Sequence, residues 1–408
     1  MAAVGFDADP VELDAYDEAR EALRNKDLRQ ALYDDGAALM SDVIVNLHGA
    51  AHTARRRLEN RLFRRDTFSF YEREIIPAAI EEVLKPALEK GSGDLLDLGR
   101  RTMISLSTAI AGVDVSMDDR EELDRFYSIM VRLNRGSNVV HATGDHSALT
   151  ADGLVALEEF DRSFLQRSIA RRRRILSEFQ AGEIAEGDLP RDVLTTLMRN
   201  QDDLDLPDET ILREVAYFPW VGSFSTSDAF VHAMDHLLAW LADHPGSREM
   251  LRTDRVALQR FVHESLRLHP ASPEARRIAL ADVTFSSGRA ISNGTGVVVN
   301  LVSANRDPKV FGDQPGAFNP YREISADVSP WGLSFGHGFH ACLGQELAGG
   351  LAPGKDFDPS THLFGAITVM AAILLDHGVR RDENAPPRQD PLSTRPHFDS
   401  FAVVFGGQ

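Results

Sequence analysis

The chain has 408 residues, 43% of them apolar, which allows one large domain or two or three ordinary ones with a sizeable core. Its 44 basic and 62 acidic residues give a formal charge of −18, which argues against nucleic acid or an anionic membrane as the main partner. The single cysteine, Cys342, excludes an internal disulfide and any zinc site built from several thiolates. It also fits a reducing, cytoplasmic setting.

The N-terminus carries no apolar run of the kind that marks a signal or anchor. DPVELDAYDEAREALRN, residues 9–25, has helical spacing behind an Asp/Pro start. Residues 52–65, HTARRRLENRLFRR, predict a strongly basic helix, and residues 72–90 an amphipathic one. Residues 156–182 predict another long helix, with Arg171 to Arg174 as a solvated face. Residues 208–245 predict one very long helix, capped by Asp208 and ended by Pro245. Pro219 inside it should remove a backbone hydrogen bond and kink the helix. After residue 275, short β-branched runs alternate with Gly/Ser/Asn turns, and RPHFDSFAVVF near the C-terminus has the same texture. The apolar run 364–375 is too short to span a bilayer. The expectation is one mainly α domain with minor β over residues 1–408.

Cys342 lies in FGHGFHACLGQELA, residues 335–348, a glycine-rich loop running into a helix. Gly336 and Gly338 permit tight turns and close approach of a flat ligand, and Gly344 lets the helix pack near it. A lone cysteine is most often a small buried hydrophobe, and a nucleophile is a second reading. The spacing Phe335-x-x-Gly338-x-x-x-Cys342-x-Gly344 closely resembles the haem-binding signature of the cytochrome P450 superfamily.

The resemblance implies that family's helical fold around haem b (iron protoporphyrin IX), with Cys342 as the axial thiolate and metal ligand and with Phe335, Gly336 and Gly344 against the ring. Two further motifs stand in the family's order. HESLRLHP supplies Glu264 and Arg267 three apart on a helix, and AFNPYRE supplies Arg322; together they imply a structural ion-pair lock. For the propionates the resemblance offers His52 and Arg56 on the basic helix, Arg277 (with Arg276 as its nearest competitor) and His340. Arg57, Arg61, Arg64 and Arg65 follow at offsets that suggest one basic face. They are either solvated or a dock for an acidic ferredoxin or flavodoxin.

On the oxygen side, the family's acid–threonine motif falls on Gly222 to Thr226 of the long helix. Thr226 is kept and Ser225 replaces the acid. Ser225 can donate a hydrogen bond but cannot act as a carboxylic acid. Asp228, two residues on, is expected to face elsewhere. Phe224, Gly222, Ser272 and Phe398 are the candidate contacts for an apolar small-molecule substrate.

Two regions depart from the family. The segment before its second helix is short, so the extra helix and β hairpin of the family are expected to be reduced here. A second copy or a partner protein would then roof the pocket. An insert at about 349–361, GGLAPGKDFDPST, interrupts the helix after Cys342. The leading expectation is a monooxygenase of secondary metabolism inserting one oxygen atom from O2. The missing acid keeps open peroxide-driven, coupling, dehydration or isomerisation chemistry, and a non-catalytic haem protein remains a third reading.

Overall fold

The computed structural model describes residues 6, 9–116, 118–354 and 357–406. In chain order its N-terminal elements are β1 (Val11–Leu13), α1 (Tyr16–Arg24), β2 (Leu28–Gln30), α2 (Gly49–Glu59), α3 (Ile76–Lys90) and α4 (Leu95–Ala111). Next come α5 (Arg120–Ser137), then α6 (His146–Phe160) joined by a π turn to α7 (Gln166–Gln180), and the long α8 (Asp208–Asp243). The C-terminal third holds α9 (Arg255–Leu268), β3 (Glu274–Ala279), β4 (Gly296–Asn300), α10 (Gln345–Gly349), α11 (Ala366–Asp376), β5 (Phe398–Ser400) and β6 (Ala402–Val404).

The fold is mainly α with minor β, as the sequence predicts. The largest sheet runs β1–β4–β3–β2, with β1 parallel to β4 and the other pairs antiparallel. One apolar core lies among the helices around α8, and a second, smaller one lies between α1 and the sheet.

Several local expectations need correction. Residues 11–13 form strand rather than helix, because Val11 to Leu13 register against Val297 to Val299. A strand therefore precedes α1 where the sequence reading found none. The basic helix stops at Glu59, so Arg61 and Arg64 lie beyond its end and not on a shared helical face. The four-arginine run is not all solvated. Arg172 is buried and ion-pairs with Asp114 at 2.6 Å and Asp192 at 2.9 Å, tying α7 to the loop before α5 and to the cap of the short helix Val193–Arg199. Pro207, not Asp208, occupies the cap position of α8, and the helix continues through Pro219. Ser223 Oγ donates to the Pro219 carbonyl at 2.6 Å, so a side chain bonds the backbone within the proline turn.

Packing fixes α8 in place. A Cβ on Gly99 of α4 would come within 3.0 Å of the Phe230 ring, so a bare backbone permits this close crossing. One turn from the site, Ser107 Oγ and Ser223 Oγ share a hydrogen bond of 2.6 Å between the same helices. With Ser223 Oγ donating to Pro219 O, Ser107 Oγ is left to donate to Ser223 Oγ and so links α4 to α8.

The helix after Cys342 does break. Gly350 adopts a φ of 75°, and a Cβ there would lie 2.4 Å from the Phe364 carbonyl carbon. The loop that follows is closed at its base by Leu351 N donating to Leu363 O at 2.8 Å. Below that closure Gln259 Nε2 donates to Phe364 O at 3.0 Å, and His263 Nε2 contacts Gly349 O at 2.8 Å. The Glu72 carboxylate accepts from Phe364 N and Gly365 N at 3.0 and 2.7 Å. The insert thus leaves from a stem that is largely buried and hydrogen-bonded at its base.

Candidate active site

Residues from both ends of the chain enclose a cavity with about 430 Å3 of open space. The cysteine loop forms one wall and the middle of α8 another. Phe335, Gly336, His340, Cys342 and Gly344 line the first; Gly222, Phe224, Ser225 and Thr226 line the second; His52, Arg56, Ser272, Arg277 and Phe398 complete the boundary. The residues singled out from sequence as ring, propionate and substrate contacts therefore meet around one space.

Cys342 is set by its own loop. Its backbone N–H donates to Phe335 O at 2.9 Å, and Gly336 and Gly338 both adopt a φ of 68°, a left-handed conformation that favours glycine. The two glycines have different reasons. Gly336 borders the cavity, whereas a Cβ on Gly338 would strike the Leu23 carbonyl oxygen of α1 at 2.8 Å. Gly338 thus serves packing on α1, not approach of a ligand as expected. Cys342 is exposed and borders the cavity. Burial raises its pKa overall, while a hydrogen bond from the Gly344 N–H and the Arg56 charge pull against that rise. Those two influences favour the thiolate, the form that binds metal.

At one end of the cavity four nitrogen-bearing side chains gather. The His52 and His340 ring centroids are 4.3 Å apart. Arg277 is buried, donates to Gln30 Oε1, and has its pKa lowered to about 10 by desolvation. Arg56 donates to the Ala341 carbonyl, tying α2 to the cysteine loop. Among the described residues neither arginine has an ion-pair partner, and His52 Nε2 is sealed without a hydrogen bond. Burial first, then the Arg56 charge, holds His52 down to about 4; burial first, then Arg277, holds His340 to about 3. Uncompensated buried cations and orphaned donors are costly. A dianionic group placed here satisfies all four. That need, the thiol facing the cavity and the open space in front of Gly344, where a Cβ meets nothing within 4 Å, fit haem. Arg276 turns away on β3 and pairs with Glu274 at 2.7 Å, so the competitor for this role is otherwise engaged.

The lock beneath the loop is assembled from distant segments. Arg267 holds Glu264 through two bonds of 2.7 Å, and Arg322 Nε reaches the same carboxylate at 3.1 Å. Arg322 also donates to the Phe311 and Ala317 carbonyls at 2.6 and 2.8 Å. Ser334 Oγ donates to Leu266 O at 2.6 Å, linking this ion cluster to the residue preceding the cysteine loop.

Above the opposite wall, Ser225 Oγ donates to the Val221 carbonyl at 2.6 Å. Its proton therefore goes to its own helix, not into the cavity. Asp228, two residues past Thr226, also borders the cavity. Its carboxylate meets His397 Nδ1 at 3.0 Å and Arg100 Nη2 at 3.5 Å. Burial raises its pKa, but His397 and Arg100 outweigh that and hold it down to about 2, so it stays ionised. Arg100 also lies 4.8 Å from the Phe224 ring centroid. Arg100, Asp228, Arg395 and His397 come from three separate stretches, and no local motif marks them. A sequence signal existed only for Asp228, which is close to Thr226.

Comparison with known proteins agrees with the arrangement. The cytochrome P450 family model matches residues 13–349. Pulcherriminic acid synthase of Bacillus subtilis is 25% identical over 404 residues, covering 96% of this chain and 89% of that protein. The structure of CalO2 superposes with a TM-score of 0.75 at 22% identity, covering 98% of this chain and 93% of that one. P450BioI, solved in complex with an acyl carrier protein ligated to hexadec-9Z-enoic acid, superposes at 0.74 and 20% identity, covering 100% and 94%. The chain belongs to the cytochrome P450 family, with haem as its cofactor and monooxygenase chemistry as the family's activity.

Proposed function

We propose that this chain is a haem-thiolate monooxygenase that oxidises a small, largely apolar molecule with electrons from a ferredoxin-type partner. The observation that carries the reading is the pairing of Cys342 on one cavity wall with Arg277 and Arg56, which have no ion-pair partner among the described residues, and with His340 and His52, whose Nε2 is sealed without a hydrogen bond. Cys342 would hold the iron, and those four would hold the propionates. When bound, haem supplies O2 activation and the oxidising equivalent.

The chain's own residues do the rest. Phe224, Gly222, Ser272 and Phe398 border the substrate space. Ser272 Oγ is committed to the Glu274 carbonyl at 2.8 Å, so it contributes shape rather than a free donor. Thr226, buried at the same wall, is the hydroxyl that orders water and passes protons toward the oxygen-binding position. The partner would dock on Arg57, Arg61, Arg64 and Arg65, all exposed. Arg65 is 3.3 Å from Glu346, and Arg64 is 3.4 Å from Asp66. Both pairs are solvent-exposed and weak enough to re-form with a partner's carboxylates.

A second reading has its own support. Ser225 is bonded to Val221 O, and Asp228 is held ionised, so among the described residues no protonated carboxylic acid lines this wall to deliver protons. That favours a peroxide-driven or non-oxygenating reaction over one that must protonate bound O2. Turnover supported by O2, reductase and ferredoxin, compared with peroxide alone, tests the two. Product formed only with the redox chain supports the first. Product formed only with peroxide overturns it in favour of the second.

Among the described residues no helix is long and apolar enough to cross a membrane.

A further inference from the structure

The cavity is also lined by a further cation, Arg395, that has no ion-pair partner among the described residues. The backbone brings two remote segments together there. Ala142 and Ser393 form an antiparallel bridge, Thr143 N donates to Leu392 O at 3.1 Å, and Thr394 N donates to His141 O at 2.8 Å. This staple places Arg395 beside His141, and both line the cavity.

Arg395 is poorly satisfied for a guanidinium with five N–H donors. Its side chain makes one hydrogen bond, from Nη2 to Asn138 Oδ1 at 3.3 Å, and its Nε is sealed without a partner. Asn138 is in turn oriented by Nδ2 donating to Asn134 Oδ1 at 2.8 Å. His141 is buried, and its Nε2 also lacks a partner. The acidic groups that border the cavity are engaged elsewhere. Asp228 pairs with His397 and Arg100, Glu274 with Arg276, and Asp399 with Arg388, while Asp390 accepts from Leu392 N. Among the described residues no carboxylate lies within ion-pair distance of Arg395. Burial accordingly lowers its pKa, despite the opposing influence of Tyr33, Asp228 and Glu274.

Nor does the cofactor account for it. The propionate donors cluster around His52 and His340, whereas the charges acting on His141 are those of Arg395, Arg276 and His397. Two separate sets of uncompensated nitrogens therefore face one cavity, with aromatic Phe224 and Phe398 also on its walls.

We propose that Arg395 and His141 form the anchor for a substrate carboxylate, so that the substrate class is an amphipathic organic acid. The carboxylate takes the open guanidinium donors and His141, and the apolar body packs among Phe224, Phe398 and Thr226. Asn138 is a positioning residue that aims the guanidinium. This rests on the reading of the cavity as the substrate chamber of a haem enzyme and sharpens it from an apolar molecule to one with an anionic end.

The test uses two matched pairs of probes, dodecanoate with methyl dodecanoate and phenylbutanoate with its methyl ester. Binding is read both from the Soret shift and from the change in melting temperature. In the wild-type protein at least one acid binds roughly tenfold or more tighter than its ester, as a charge-assisted hydrogen bond in a buried site provides. Arg395→Gln removes that preference while leaving ester binding unchanged, and Arg395→Lys keeps part of it. Equal binding of acid and ester, an Arg395→Gln variant that keeps the preference, or no binding of any acid by either readout overturns the proposal. Absence of haem from the purified protein would instead contradict the haem reading. The melting-temperature arm still reports on the anchor in that case.

Discussion

His52 and His340 face each other at 4.3 Å between ring centroids, both neutral, with Arg56 and Arg277 beside them and no ion-pair partner for either arginine among the described residues. They come from α2 and from the cysteine loop, nearly three hundred positions apart. Such an arrangement stores a need for anions, and the predictions follow from that need.

Arg277→Gln separates the cofactor role from a structural one. Burial alone lowers the Arg277 pKa, so the apoprotein bears a desolvation cost for it. Its removal should leave apoprotein stability unchanged or higher. Haem retention should fall by roughly tenfold to a hundredfold, the value of one charge-assisted bond. Haem transfer to an acceptor globin measures the second quantity and thermal melting the first. A variant that loses apoprotein stability but retains haem normally contradicts the assignment.

Acid should destabilise the protein well above the usual carboxylate range. His52, His141, His232, His263 and His340 are held down to about 4, 3, 4, 4 and 3, each chiefly by burial. Between these values and the ordinary histidine pKa of about 6.5, the unfolded chain binds protons that the folded chain excludes, so stability falls as pH falls. Each group contributes up to about 1.4 kcal/mol per pH unit in that window. Urea midpoints from about pH 7 to about pH 5 should drop steeply for the apoprotein. Haem loading should flatten the curve, because propionates raise the pKa values of His52 and His340. A flat apoprotein curve would contradict the buried neutral state.

Glu264→Gln should cost about 3–5 kcal/mol, because it leaves Arg267 and Arg322 buried with no counter-charge. The loss should appear as a lower melting temperature and as weaker haem retention, since the cluster supports the segment leading into the cysteine loop. A neutral outcome would show that neighbouring carbonyls suffice for the two arginines.

Ser225→Asp restores a carboxyl where the acid is absent. If O2-dependent chemistry is limited by proton delivery, this variant should raise product formed per electron pair by several-fold, with substrate affinity little changed. Asp228→Asn should not mimic it, because Asp228 is already ionised and its loss unbalances His397 and Arg100. An unchanged Ser225→Asp coupling ratio, beside active peroxide turnover, would favour the second reading.

The parts of this molecule readable from sequence are those where chemistry demands fixed spacing along one segment. Phe335 to Gly344 needs its glycines because the backbone turns left-handed before Cys342, and Glu264 and Arg267 meet because three residues separate them on α9. The long α8 was legible from its apolar length, and its proline did not end it. What could not be read depends on contacts between distant segments. Val11 to Leu13 became strand through Val297 to Val299, and Arg172 was drawn inward by Asp114 and Asp192. The partners of Asp228 were equally hidden, because Arg100 and His397 reach it from distant segments. The Arg395 corner exists only because the C-terminal loop bridges to Ala142.

The central claim is that Cys342 holds the haem iron. The reduced protein, exposed to CO, tests it directly when wild type is compared with Cys342→His. The account predicts the strongly red-shifted Soret band of thiolate ligation for wild type and its loss in the variant, with haem still bound. A wild-type band of the kind histidine ligation produces, or a spectrum that the variant leaves unchanged, would contradict it.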